Sequence, residues 1–302
     1  MKLVTFKNKE NETRTGWLQA DGVVDMNLAS ADLPKDMLSF IQNNEENFKI
    51  IASLGEVKVH YALDEVQLLA PLPNPPSFRD FIGFEKHMTN ASAAFGHALG
   101  QVWYEMPIFY FTNHQAIYGP DDEIKKPEKE TKMDIELELA VIIGKKGKDI
   151  KAEDAENYIF GYTVFNDFTA RAIQKVEMGG PPLGPHKGKD FANAIGPCIV
   201  TKDEMDKYIG ENGLFDIKMT AKINETVVCE GNYNTVYHNF RKQIERASEN
   251  NVSLFPGDIL GSGTVGWGSL IENNFAVHRP LAPNDVVELT IEGIGTLRNN
   301  VV

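Results

Sequence analysis

Cysteine is nearly missing from this chain: Cys198 and Cys229 are the two thiols in 302 residues. Both lie in apolar, strand-like surroundings, PCIVT and TVVCEG, and neither has the partner spacing of a thiolate metal site. They read as buried structural thiols in a reducing compartment, and the protein is expected to be cytoplasmic. Long apolar runs are lacking too. The first residues, MKLVTFKNKENETRTGW, contain no stretch suited to a signal peptide, and no window approaches membrane-spanning length. Positive charge is in deficit, with a formal net charge of −13, which argues against nucleic-acid partners and anionic lipid surfaces. An anionic small substrate stays open, because a metal ion or a lysine can invert the field inside a pocket. No G-x-G-x-x-G follows a strand, no G-x-x-x-x-G-K-[ST] occurs, and there is no internal repeat or low-complexity segment.

What is present is an ordinary globular composition, 42% hydrophobic and 24% charged, with enough chain to bury a sizeable core. Residues 1–72 alternate short strand patterns (KLVTF, TGWLQ, GVVDMN) with an amphipathic helical patch around MLSFIQNNEENFKIIASL. The proline-dense LLAPLPNPPSFRDF segment continues neither a helix nor a central strand, so a small N-terminal domain is expected to end there. Residues 73–302 are rich in short strands bounded by Gly, Pro and Asn, with helical stretches around FEKHMTNASAAFGHA and ASENN. The spacing predicts a mainly β, α+β fold with an antiparallel core.

The stretch MDIELELAVIIG alternates acid with aliphatic residues: Asp134, Glu136 and Glu138 interleave with Ile135, Leu137 and Leu139. In a strand, residues two apart share a face, so three carboxylates would stand in a row and need a positive partner. Asp167 closes a second hydrophobic segment, GYTVFNDFTARAIQ, just before a helical-looking turn. Carboxylates converging from separate strands, with no His or Cys cluster beside them, make a hard oxygen site suited to Mg²⁺, Mn²⁺ or Ca²⁺. The Gly/Pro-rich loop MGGPPLGPHKGKDFANAIGP carries His186, Lys187 and Lys189. Lys187 reads as a surface residue and Lys189 as one fixed by the following strand and aimed inward. The loop from Met178 to Gly188 is a candidate lid. Last, PGDILGSGTVGWG is a strand followed by a glycine-dense turn with Ser262, Gly263 and Thr264, where backbone N–H groups can approach an anion.

Taken in order, these stretches resemble the fumarylacetoacetate hydrolase family. Its metal-binding E-x-E strand looks like Glu136-Leu137-Glu138, and its N-D-x-[ST]-A-R segment looks like Asn166 to Arg171. Its G-K-x-F and G-[ST]-G-T motifs match Gly188 to Phe191 and Gly261 to Thr264. The segment DFIGFEKHMTN is similar to the D-F-x(5)-H-x-T-N of the family's animal hydrolase. The resemblance implies a β-rich roll preceded by a small N-terminal barrel-like domain, in a homodimer. It implies Asp80, Glu136, Glu138 and Asp167 as metal ligands, with Mg²⁺ as the first choice of ion, and His87, Lys189 and Gln174 as catalytic residues. Tyr110, Arg171, Gly263 and Thr264 are the implied substrate contacts, and Glu272, by its order after the glycine turn, is the candidate carboxylate partner of His87.

Where the animal enzyme has a tyrosine two residues after the ligand aspartate, this chain has Ile82. Gly96 replaces an arginine nine residues past the histidine, Met178 replaces a loop tyrosine, and the loop to Lys189 is two residues longer. Metal and base positions are kept while substrate-reading positions change. The implied activity is C–C hydrolysis of an acylpyruvate-like or fumarylacetoacetate-like 1,3-dicarbonyl acid. Isomerisation or decarboxylation of a 2-oxo diacid, oxaloacetate or 2-hydroxyhepta-2,4-diene-1,7-dioate, is the alternative at the same site. A non-catalytic organic-acid binder is the third reading, and a base beside the metal is the feature against it.

Overall fold

The computed structural model describes residues 1–20, 22–94, 99–181 and 183–302, so Gly96 lies outside the described residues. The fold is mixed α/β and mostly sheet. Its principal strands are β1 (Lys2–Lys7), β2 (Thr13–Gln19), β3 (Gly22–Asp25), β4 (Tyr61–Ala62), β5 (Phe78–Phe81), β6 (Phe109–Phe111) and β7 (Leu137–Ile143). They continue with β8 (Ile159–Asp167), β9 (Asn193–Thr201), β10 (Lys218–Ile223), β11 (Thr226–Asn232), β12 (Ile259–Gly261), β13 (Val286–Ile291) and β14 (Gly295–Val301).

The large sheet runs β4-β3-β2-β1-β9-β8-β7-β12-β5-β6, and a smaller one runs β11-β10-β13-β14 with Glu123–Ile124 at its edge. Residues 1–72 supply β1 to β4 and the helices Met37–Gln42 and Asn44–Ser53. Their strand β1 pairs antiparallel with β9, Leu3 opposite Ile199, so the large sheet continues through them. Leu3, Trp17, Phe40 and Ile41 share an apolar cluster with Ile142, Phe165 and Ile195 from the later segment.

Strand β7 is buried along its whole length because it is covered on both faces. Leu139, Val141 and Ile143 pack into one cluster, Ala140 and Ile142 into the other. Each buried aliphatic side chain contributes roughly 1.5–3 kcal/mol, so this strand is a rigid base for whatever its ends carry. The helix expected at ASENN lies mostly upstream, at Phe240–Ser248, where the Asn239 side chain accepts the Lys242 N–H at 3.3 Å. Asn250 and Asn251 have left-handed backbone conformations, φ 61° and 65°, which end the helical course. The other expected helix begins at Glu85 and carries His87.

Candidate active site

At one end of the large sheet, two strands separated by β7 and β12 each carry an apolar residue followed two positions on by a carboxylate. Phe78 precedes Asp80 on β5, and Phe165 precedes Asp167 on β8. The antiparallel β7 places Glu138 at the same end, opposite Phe165, and Ala140 opposite Gly261 of β12. Gly261 in turn lies beside Asp80. Asp80 and Glu138 meet across β12 only because that strand has no side chain at this level. A Cβ on Gly261 would lie 2.3 Å from Asp80 Oδ1 and 3.0 Å from Glu138 Oε2. Carboxylate oxygens of Asp80, Glu136, Glu138 and Asp167 thus gather within 4.8 Å of one another, all four residues buried.

The expected row of three acids is corrected at Asp134. The strand breaks between Asp134 and Leu137, where Asn166 Oδ1 accepts the Glu136 N–H at 3.0 Å in place of a continuous ladder. Asp134 turns away and accepts from Arg171 Nε at 2.9 Å and from the Leu270 and Ile271 N–H groups at 2.8 and 3.0 Å. Its positive partners are therefore a guanidinium and the start of a helical turn.

Two cations sit among these acids. Lys189 Nζ contacts Glu136 Oε2 at 2.5 Å and Asp167 Oδ2 at 2.6 Å. Arg171 spans Asp134 and Glu136, the latter at 2.7 Å, and reaches Gln174 Oε1 at 3.1 Å. Burial disfavours the Glu136 anion, but Lys189 and Arg171 outweigh it and hold this carboxyl below its ordinary value. Burial also disfavours the Lys189 cation, and Asp167 and Glu136 outweigh it, so the ammonium is retained. Burial first, then the neighbouring carboxylates, push Asp80 and Glu138 well up.

Five carboxylates, counting Asp134, face two cations, which leaves three negative charges uncompensated when all ionise. Asp80 Oδ1 and Asp167 Oδ1 are buried and accept no hydrogen bond from the protein. Such oxygens are costly unless something satisfies them. The donor set is all hard oxygen, so these residues fit a divalent cation of the Mg²⁺ or Mn²⁺ type. Tyr110, directly across from Asp80, has its hydroxyl between Asp80 Oδ2, at 3.0 Å, and Asp167 Oδ2, with one hydrogen to share between them.

His87, on the helix Glu85–Ala94, contacts Glu272 Oε1 through Nδ1 at 2.8 Å. Glu272 is itself held by Asn90 Nδ2 at 3.0 Å and by the N–H groups of Trp267 and Ser269 at 2.6 and 3.2 Å. Burial works against its charge, but His87 and these donors keep the carboxyl below its ordinary value. An ionised carboxylate only accepts, so Nδ1 carries the hydrogen and Nε2 is the free basic nitrogen.

Gly263 and Thr264, expected as substrate contacts, direct their donors at Glu138, at 2.9 and 3.2 Å. Gly263 has φ +85°, and a Cβ there would meet the Gly83 nitrogen at 2.4 Å. Arg171, also expected to touch substrate, is committed to Asp134, Glu136 and Gln174.

Two acids with no local sequence signal shape this region. Glu130 is buried and accepts the Ala172 and Ile173 N–H groups at 3.1 and 3.2 Å, capping the helix that presents Arg171 and Gln174. Glu177 accepts the N–H groups of His186, Lys187 and Gly188 at 3.1, 2.7 and 2.9 Å, pinning the backbone just before Lys189. Lys187 is exposed and pairs with Asp190, and Cys198 and Cys229 are buried, as expected.

A cavity of about 940 Å³ opens over the cluster. Asp80, Glu136, Glu138, Lys189 and His87 line it along with Gln174, Tyr110 and Thr264. This arrangement can hold a cation on one side of a ligand and present a base on another.

A family model described as fumarylacetoacetate (FAA) hydrolase, C-terminal, matches residues 77–302. The chain is 31% identical over 310 residues to the mitochondrial oxaloacetate tautomerase fahd2 of Xenopus laevis, covering 100% of this chain and 90% of that protein. Its structure superposes on fumarylacetoacetate hydrolase from Exiguobacterium antarcticum with a TM-score of 0.76 at 25% identity, covering 100% of this chain and 99% of that one. Maleylpyruvate hydrolase from Sphingobium sp. SYK-6, solved with manganese(II) and pyruvate, shares the fold at a TM-score of 0.73 and 22% identity, with 100% and 99% covered. Among the described residues, no helix is long and apolar enough to cross a membrane.

Proposed function

The chain belongs to the fumarylacetoacetate hydrolase family, and from that premise we propose that it is a divalent-metal-dependent hydrolase cleaving the C–C bond of a 2,4-dioxo acid. The observation that carries this reading is the His87–Glu272 pair, a base oriented by a carboxylate and facing the same cavity as the acid cluster. Asp80, Glu136, Glu138 and Asp167 would hold the ion, with Mg²⁺ the first choice and Mn²⁺ the close substitute. When bound, such an ion acts as a Lewis acid that polarises carbonyl oxygens and steadies a developing enolate.

The chain's own groups do the rest. Nε2 of His87 takes a proton from water, and the oxygen bonds to C4 of the substrate. The C3–C4 bond then breaks, its electron pair passes to C3 as the enolate of pyruvate, and a proton returned from His87 completes the methyl group. Atoms balance as one 2,4-dioxo acid and one water giving one carboxylic acid and one pyruvate. Lys189 and Gln174 lie at the cavity floor, where the ammonium and the amide add donors for negative charge. Glu272 stabilises the imidazolium while His87 carries the proton.

A second reading is keto–enol tautomerisation of a 2-oxo acid at the same residues, favoured by the full-length likeness to an oxaloacetate tautomerase. It needs the base and the enolate but no attacking water. The test is incubation with acetylpyruvate and with oxaloacetate, with and without Mg²⁺, following enol absorbance and pyruvate release in wild type and His87→Ala. Metal-dependent pyruvate release from acetylpyruvate that His87→Ala abolishes supports hydrolysis, whereas pyruvate from oxaloacetate alone reports decarboxylation. Enol loss without any pyruvate moves the assignment to tautomerisation, and inertness toward both overturns the catalytic reading.

A further inference from the structure

We propose that the distal half of the substrate is an apolar acyl chain rather than a second carboxylate, and that Ile82 selects for it. This rests on the hydrolase reading and adds the substrate class. Among the described residues lining the cavity, the floor holds the buried charge, and its two cations are already engaged. Lys189 lies between Glu136 and Asp167, and Arg171 between Asp134 and Glu136. The walls above are Ile82, Met88, Ala91, Ile108, Phe111 and Leu183. Of the other basic lining groups, His87 is paired with Glu272, and Lys175 and His186 are exposed, where water competes for any ion pair they form.

Ile82 follows Asp80 by two positions, on the continuation of the same strand face. Its backbone is held from both sides: the N–H donates to the Ile108 carbonyl at 3.1 Å, and its carbonyl accepts Trp103 Nε1 at 2.8 Å. The backbone that presents this side chain is therefore fixed, and Ile82 lines the cavity together with Asp80. Farther out, Phe111 and Leu183 are 63% and 77% exposed, an apolar rim that a ligand tail can cover. Among the described residues of these walls, no cation is free to pair with a distal carboxylate, whereas an alkyl chain gains at each methylene. The related proteins named above act on diacids, oxaloacetate and maleylpyruvate among them, so this preference would set the present chain apart.

The experiment measures kcat/KM of the wild-type, metal-loaded protein for pyruvates acylated with acetyl, butanoyl and hexanoyl groups, and for a 2,4-dioxo diacid of the hexanoyl length. The expected result is a rise of about fourfold per methylene, the worth of one buried CH₂, with the diacid at least ~10-fold slower than its equal-length monoacid. A diacid processed as fast as the monoacid, or no dependence on chain length, overturns the proposal. Calorimetric titration of 2-oxooctanoate against 2-oxooctanedioate makes the same comparison without turnover. Tighter binding of the monoacid with every 2,4-dioxo acid inert keeps the apolar-tail assignment and overturns hydrolysis alone, and tighter binding of the diacid overturns the assignment. Ile82→Arg should shift preference toward the diacid by roughly 10-fold or more, the scale of a hydrogen-bonded charge. Leu183→Arg, at a position 77% exposed on the same rim, should shift it the same way if Ile82→Arg folds poorly. Wild-type preference in both variants counts against the proposal.

Discussion

Gly261→Ala isolates the geometric condition on which the acid cluster depends. Gly261 is not among the residues with left-handed backbone conformations, so alanine is conformationally acceptable there. The new methyl group would stand 2.3 Å from Asp80 Oδ1 and 3.0 Å from both Glu138 Oε2 and Phe165 Cε1, where ordinary contact begins near 3.4 Å. Asp80 must then retreat by about 1 Å, and overpacking of this kind costs roughly 1–3 kcal/mol of stability. Misplacing a functional group by that distance costs about 100-fold in what it does, so Mn²⁺ affinity should weaken by ~100-fold.

Linkage turns this into a melting experiment. At a Mn²⁺ concentration 100 times the wild-type Kd, the metal stabilises wild type by about 2.7 kcal/mol and the variant by only ~0.4 kcal/mol. Melts with and without Mn²⁺, backed by calorimetric titration, read both quantities, and the metal-free melt reports the packing cost separately. Wild-type Mn²⁺ affinity in a folded Gly261→Ala protein would refute the reasoning, because it would mean that Asp80 and Glu138 do not have to meet across β12.

Glu272→Gln removes the charge that steadies a protonated His87 while leaving all four candidate metal ligands in place. Activity should fall by roughly 10²- to 10⁴-fold with Mn²⁺ binding unchanged, and wild-type turnover in this variant would dismiss the pair as catalytic. Glu177→Ala deprives the His186, Lys187 and Gly188 N–H groups of their shared acceptor. Activity should drop, the 178–188 loop should be cut faster by protease, and the change should cost nothing further in a Lys189→Ala background. Fully additive losses would show that Glu177 does not act through Lys189. Burial pushes the Cys198 and Cys229 thiols up to about 12, so neither should react with a thiol reagent at neutral pH until the protein unfolds. Rapid labelling of the native protein would contradict their placement.

Much of the architecture was legible in local patterns. Short strands bounded by glycine, proline and asparagine announced a sheet-dominated fold, and period-two alternation placed Glu136 and Glu138 on one face with Asp167 at the end of a second strand. Those signals are local because side-chain direction in a strand follows from backbone pleat alone. Composition likewise marked both thiols as structural. By itself, though, the E-x-E pattern could not separate Asp134 from its neighbours, since the break after Asp134 comes from Asn166, 32 residues away, taking the Glu136 N–H.

The tertiary structure alone decided the electrostatics. Arg171 is a structural counter-ion for Asp134 and Glu136, and Gly263 and Thr264 hold Glu138. Glu272 meets His87 across 185 positions of sequence. Gly261 matters because β12 lies between β5 and β7, a fact of strand order that no window of residues encodes. The division has a physical reason. Pleat and burial act over a few residues, whereas charges in a desolvated site respond to every group within several ångströms, and only the folded chain determines which groups those are.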